Sequence, residues 1–292
     1  MAAPLCSAPD PSPRRPRIAL PANSCDCHAH ICGPGTAFDY APERIYTPPD
    51  ALLPQYRHML ETLGVGRAVL VQPSVYGADN AALMAALAAG GENFRGVAVI
   101  DDTFSDDDLG KLNQAGIRGV RVNVVDVADP EAGVPVEQLR RLGERIAPLG
   151  WHLELLAHVD ECPDLDEQFA GFPVDLVFGH MGYLRPGQDT NAAGFQALLR
   201  LAAMGRCWVK LTGPYRISAG DLPYPDATPF ARTLIEAAPG QVIWGSDWPH
   251  VMVTKPMPND GDLCDLLTDW IPDQGMRARV LVENPARLYG FD

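Results

Sequence analysis

Residues 24–30, Ser24-Cys25-Asp26-Cys27-His28-Ala29-His30, run into Ile31-Cys32-Gly33-Pro34-Gly35, and this stretch decides how the chain is read. Alternation puts both imidazoles on one side of an extended segment, about 7 Å apart along it. The Gly-Pro-Gly that follows ends the strand. Ligand-binding groups at a strand's C-terminal end are what the mouth of a barrel requires. Working outward, short apolar runs recur at 67–72, 95–101, 117–124, 151–158, 174–180, 207–212 and 241–247, eight strands with the first. Between them, apolar residues three or four apart predict helices over 50–63, 78–90, 105–115, 135–148, 190–204 and 226–238. A further pair, 260–271 and 274–283, closes the chain. Eight strand–helix units joined by right-handed crossovers predict an α/β fold, a single (β/α)8 TIM barrel over 23–292. The segment 1–22 holds Pro4, Pro9, Pro11, Pro13, Pro16 and Pro21 and is expected to be an extended N-terminal arm.

The 292 residues suit one such barrel, and 47% hydrophobic with 21% charged residues excludes wholesale disorder. With 23 Lys and Arg against 37 Asp and Glu the net charge is −14, which repels nucleic acid and anionic membrane, so neither is expected as a partner. Seven cysteines, an odd number, point to reduced thiols rather than a disulfide framework. Cys25, Cys27 and Cys32 lack a fourth partner at the spacing of a structural zinc site. With neither a long apolar run nor a secretory leader in view, the expectation is a soluble, cytoplasmic protein.

Strand parity gathers the polar residues. Asp26, His28 and His30 share one side of strand one, and Asp101, Arg121 and Asn123 are read as the inward positions of strands three and four. Strand six ends at His180 in Gly179-His180-Met181-Gly182, and strand seven leads through Lys210 to Thr212. Strand eight runs Gln241, Ile243, Gly245 and Asp247 on one face, into Trp248-Pro249-His250. On strand five His158 has the parity of Glu154 and Leu156. Three histidines and a carboxylate at one rim can converge on a metal or on an organic ligand, and the residues alone leave both open. The Gly- and Pro-rich stretches 31–49, 181–190 and 213–226 are candidate lids.

These motifs, with Tyr46-Thr47-Pro48-Pro49-Asp50, Gln72-Pro73-Ser74, Gly119-Val120-Arg121 and Glu283-Asn284-Pro285-Ala286-Arg287, resemble the amidohydrolase superfamily in its 2-pyrone-4,6-dicarboxylate lactonase-like branch. The resemblance implies a carboxylic-ester hydrolase, a lactonase, that opens a small anionic lactone in the breakdown of an aromatic or sugar acid. Water would attack with Asp247 as general base, and His28, His30 and His180 would stabilise the oxyanion. Arg121 and Arg216 would grip carboxylates, with the hydroxyls of Tyr46, Ser74 and Thr212 as further substrate-binding donors.

No cofactor is expected. The alternative is one divalent metal, zinc or manganese, on His28, His30, His180 and Asp247 with His158 as a further ligand. That alternative would make the chain a zinc-dependent amidohydrolase or decarboxylase; a lactone isomerase is the other rival. The inward positions read for strands three and four supply no lysine or glutamate to bridge two metals. The chain departs from that branch at Val127 and Tyr183, where arginines are expected, and at Leu156, in place of a tyrosine. The expected partner is therefore a small lactone with fewer or differently placed acidic groups than a pyrone dicarboxylate: a muconolactone-type butenolide, a sulfonated relative or a sugar-acid lactone. A homo-oligomer is left open.

Overall fold

The computed structural model describes residues 3–125 and 134–292, so Val127 lies outside the described residues. Its strands are β1 (Cys25–Ala29), β2 (Arg67–Val71), β3 (Phe94–Ala98), β4 (Ile117–Asn123), β5 (His152–Leu156), β6 (Leu176–Phe178), β7 (Cys207–Leu211) and β8 (Val242–Trp244). They pair in parallel in chain order from β1 to β8. The ring closes beyond the last strand: Asp247 N–H donates to the His28 carbonyl at 2.9 Å, and His30 N–H donates to that of Trp248 at 2.8 Å.

The crossover helices are α1 (Leu53–Leu63), α2 (Ala81–Gly90), α3 (Asp106–Gln114), α4 (Val136–Ile146), α5 (Leu165–Gln168), α6 (Ala193–Ala203), α7 (Pro214–Ile217) and α8 (Thr228–Ala237). The chain ends in α9 (Asp260–Asp265), α10 (Leu267–Trp270), α11 (Gln274–Ala278) and α12 (Asn284–Tyr289). Local chemistry sets several ends. Pro54 sits in the first turn of α1, which stops at Gly64 in the left-handed region (φ 78°). Ser105 and Asp108 form a reciprocal capping box on α3. The one-turn helices α5 and α7 fall where no helix is expected, because four residues are too few to show a period.

Two apolar layers follow from the alternation. Leu153, Leu155, Phe178, Val209 and Trp244 face the helices, whereas Cys25, Cys27, Val69, Val97, Trp208 and Ile243 fill the barrel interior against Tyr289 and Phe291. The arm residues run across the outside: Leu5 bridges Thr47, and Arg14 and Arg17 bind Asp265 of α9.

Two expectations of parity are corrected. The β1–β2 register shifts between Asp26 and Ala29, so Cys27 and His28 both turn inward and Asp26 turns out toward α1. There the Asp26 carboxylate accepts from Tyr56 (2.9 Å), from the Ser246 hydroxyl (2.5 Å) and from the N–H groups of Ser246 (2.8 Å) and His28 (3.1 Å). Asp101 is not inward either: β3 stops at Ala98, and Asp101 is exposed and turned onto Thr103.

Because four donors converge on one fully buried carboxylate, Asp26→Ala is expected to lower stability by about 3 kcal/mol. Urea denaturation measures this; a loss under about 1 kcal/mol would show that the clamp is not structural.

Candidate active site

The closing seam builds the site. Asp247 sits in the left-handed region at φ 67°, unusual for a non-glycine residue, and turns its carboxylate inward beside His28. Gly245 permits the approach: a Cβ there would stand 2.7 Å from the His28 nitrogen. At Gly213, ahead of α7, a Cβ would come within 2.8 Å of Asp247 Oδ2.

The two carboxylate oxygens have different surroundings. Oδ2 accepts from Tyr215 Oη at 2.6 Å and from Arg216 Nε at 2.7 Å. Oδ1 is buried without a partner among the described residues, and 3.7 Å away stands His28 Nε2, also buried and unpartnered. Burial alone would raise the Asp247 pKa, but the Arg216 guanidinium holds it well below the ordinary carboxylate range. Behind Tyr215 the chain of contacts continues to His250 Nδ1 at 2.9 Å, and from His250 Nε2 to Asp260 Oδ1 at 3.1 Å.

The three rim histidines are buried and neutral at physiological pH. Burial, with the charges of Lys210 and His30, holds His28 well below its usual pKa; burial and Arg121 lower His30 to about 4. Burial is also the main cause at His180, lowered to about 3. The His28 ring stands edge-on to His30 and His180, at centroid distances of 4.9 and 5.2 Å. His30 Nδ1 must donate to the Val71 carbonyl at 2.8 Å, which leaves Nε2 as an acceptor rather than the expected N–H donor. Ligand atoms of His28, His180 and Asp247 lie within 4.8 Å of one another, the arrangement of a three-ligand cation site.

Arg121, at the end of β4, is 7% exposed and donates to the Gln72 carbonyl at 3.0 Å. No carboxylate among the described residues pairs with it. Deeper in the barrel Lys210 Nζ lies 2.6 Å from Glu154 Oε2 and 3.1 Å from His28 Nδ1, all three side chains buried. A cavity of about 220 Å³ opens beside Arg216, lined by Tyr183, Pro186, Met252 and Val253.

Several sequence expectations need adjustment. Arg216 is committed to Asp247 and, through Nη2, to the Val251 carbonyl. Thr212 is committed to His180, taking its backbone N–H at 3.1 Å and meeting Nδ1 at 2.8 Å, so it positions that ring. His158 does not join the cluster: it stacks on Tyr183 at 4.7 Å and its Nδ1 meets the Tyr183 carbonyl. The stretch 213–226 is no free lid, because Tyr215 and Arg216 are tied to Asp247 and Lys255 binds the carbonyls of Ser218 and Gly220. Tyr46 and Ser74 meet each other at 3.5 Å, with Tyr46 in Arg121's field. Sequence reasoning missed Tyr215, His250, Asp260 and the Glu154–Lys210 pair, whose partners are far apart in sequence.

Arg216→Met removes the strongest influence holding Asp247 ionised. The acid limb of the kcat/KM profile should therefore move to higher pH, into the range of an ordinary or raised carboxylate. An unmoved limb with only KM increased would mean that Arg216 acts on the substrate and not on Asp247.

Comparison with known proteins agrees with this architecture. The amidohydrolase family model matches residues 25–291. A 2-pyrone-4,6-dicarboxylate hydrolase of Comamonas testosteroni is 36% identical, covering 95% of this chain and 93% of its own length. A 4-sulfomuconolactone hydrolase of Rhizobium radiobacter is 35% identical over 98% of this chain and 96% of its own. Among solved structures, an apo crystal structure of an Agrobacterium tumefaciens protein superposes with a TM-score of 0.85 at 30% identity, covering 95% of this chain and 99% of that one. With the model spanning the barrel from β1 to its last residues but one, the chain belongs to the amidohydrolase family.

Proposed function

We propose that the protein hydrolyses the ring ester of a small lactone carrying a carboxylate, with Asp247 as general base and without a metal. The observation that carries this reading is the pair of buried atoms, Asp247 Oδ1 and His28 Nε2, unpartnered among the described residues and facing each other near an arginine that no described carboxylate pairs with. Arg121 supplies a bidentate seat for the substrate carboxylate. The relatives named as lactone hydrolases support the reaction class.

In this mechanism Asp247 Oδ1 accepts a proton as water adds to the ring carbonyl. Negative charge then develops on the carbonyl oxygen, where His28 Nε2 and the neighbouring cations face it. Collapse breaks the ring C–O bond, and the proton held by Asp247 passes to the leaving oxygen, giving an open-chain acid heavier by one water.

A divalent ion is a poor fit. Asp247 Oδ2 is already taken by Arg216 and Tyr215 and Glu154 by Lys210, so both nearby carboxylates are engaged by other donors. A further double positive charge would have to compete with those cations for the carboxylates, whereas a substrate carboxylate has Arg121 to meet. No step is therefore routed through a metal.

Turnover of a carboxylated lactone is expected to survive prolonged chelation, with a product one water heavier than substrate. Asp247→Asn should reduce kcat by about 10³-fold or more. Loss of activity on chelation with recovery on adding zinc would overturn the metal-free reading, and an unchanged mass would establish an isomerase. Because His30 protonates only near pH 4, and His180 and Asp247 lower still, kcat/KM should be level between about pH 5 and 8. Arg121→Met should raise KM about 100-fold for the carboxylated lactone and leave a neutral lactone little changed. An equal effect on both would remove Arg121 from the substrate.

A further inference from the structure

Lys210 and Glu154 form an ion pair in the barrel interior, 0% and 2% exposed, with no evident structural need. Buried pairs of this kind contribute little net stability, and well-packed apolar replacements often match them. Their position is informative. Nζ lies directly beneath His28, 3.1 Å from Nδ1, while Glu154 Oε1 stands 3.3 Å from the same nitrogen without hydrogen-bond alignment. An ammonium group only donates, so the Nδ1 it meets must carry a lone pair. A neutral ring then carries its one proton on Nε2.

We propose that Lys210, held by Glu154, is the positioning residue that fixes His28 as the Nε2–H tautomer. The ring thereby presents a donor to the reacting oxygen and denies a divalent ion the lone pair it would need. His30 shows the opposite setting: its Nδ1–H is spent on the Val71 carbonyl, so its Nε2 is an acceptor. The two histidines of one strand therefore present unlike atoms to the mouth, and Lys210 accounts for the difference.

The effect on turnover rests on the ring-opening reading above; the tautomer and metal binding do not. In protein labelled with ¹⁵N in its histidine rings, long-range proton–nitrogen correlation reports which nitrogen bears hydrogen, with His28 assigned by its loss in His28→Asn. The wild-type ring is expected to be protonated on Nε2. In Lys210→Met, Glu154 is left to accept from Nδ1, so the proton should change nitrogen. The same variant should lose about 100-fold in kcat with KM within about twofold, and should retain zinc through dialysis where wild type does not. The apolar pair Lys210→Met with Glu154→Leu keeps the test decisive if the single variant does not fold: it should lose the fixed tautomer and a comparable share of kcat.

A wild-type ring protonated on Nδ1, or variants that keep the wild-type tautomer and turnover, would overturn the proposal. Should Asp247→Asn abolish ring opening while these variants do not impair it, the reaction would stand and the role of Lys210 would fall. Should no lactone be opened at all, the nitrogen assignment and zinc retention would still decide.

Discussion

The site depends on a short seam. Two backbone hydrogen bonds, Asp247 N–H to His28 and His30 N–H to Trp248, close the barrel where β8 returns to β1. Because the same residues supply the side chains, closing the fold and assembling the site are one event. The seam holds a non-glycine residue at positive φ and a Gly245 too close to His28 for any side chain. Such strain persists only where surroundings over-determine it. Here the Asp26 carboxylate does so from outside, gripping the N–H groups of Ser246 and His28 on the two sides of the closure.

Charge organises what the seam brings together. The chain carries −14 overall, yet Arg121, Lys210 and Arg216 are drawn to the inside of its barrel. In the low dielectric of that interior each cation governs its immediate neighbours more than bulk charge does. Arg216 keeps Asp247 ionised, Lys210 lies against His28, and Arg121 has no carboxylate partner among the described residues. On the proposed reading, a surface that repels anions at long range encloses a pocket that attracts one at short range. This favours a small ligand over a polyanion, which would have to approach the whole negative surface.

The fold was legible because each strand is a short apolar run and each principal helix repeats at three or four residues, signals carried locally. The rim histidines and Asp247 were legible because strand ends are where a barrel exposes side chains. What failed had no local signal. Asp26 lost its predicted face through one shifted register in β1, which alternation cannot reveal. Lys210 and Glu154 looked like ordinary inward positions until packing set them 2.6 Å apart across 56 residues of chain. Tyr215 and Arg216 sat in a stretch read as a loop, and only the turn of α7 aims both at Asp247.

The low proton affinity of Asp247 bears on how it would serve as a base. In the free protein, Arg216 and Tyr215 share Oδ2 and stabilise the ionised form, which guarantees a carboxylate but a weak one. An anionic lactone would change that balance. Its carboxylate would offset the charge of Arg121 and its ring would displace water, both of which raise the proton affinity of a neighbouring buried carboxylate. Oδ1, without a donor among the described residues, is the atom on which that change would act. On this reading the site is ionised and receptive while empty, and becomes basic when the proposed substrate completes its charge.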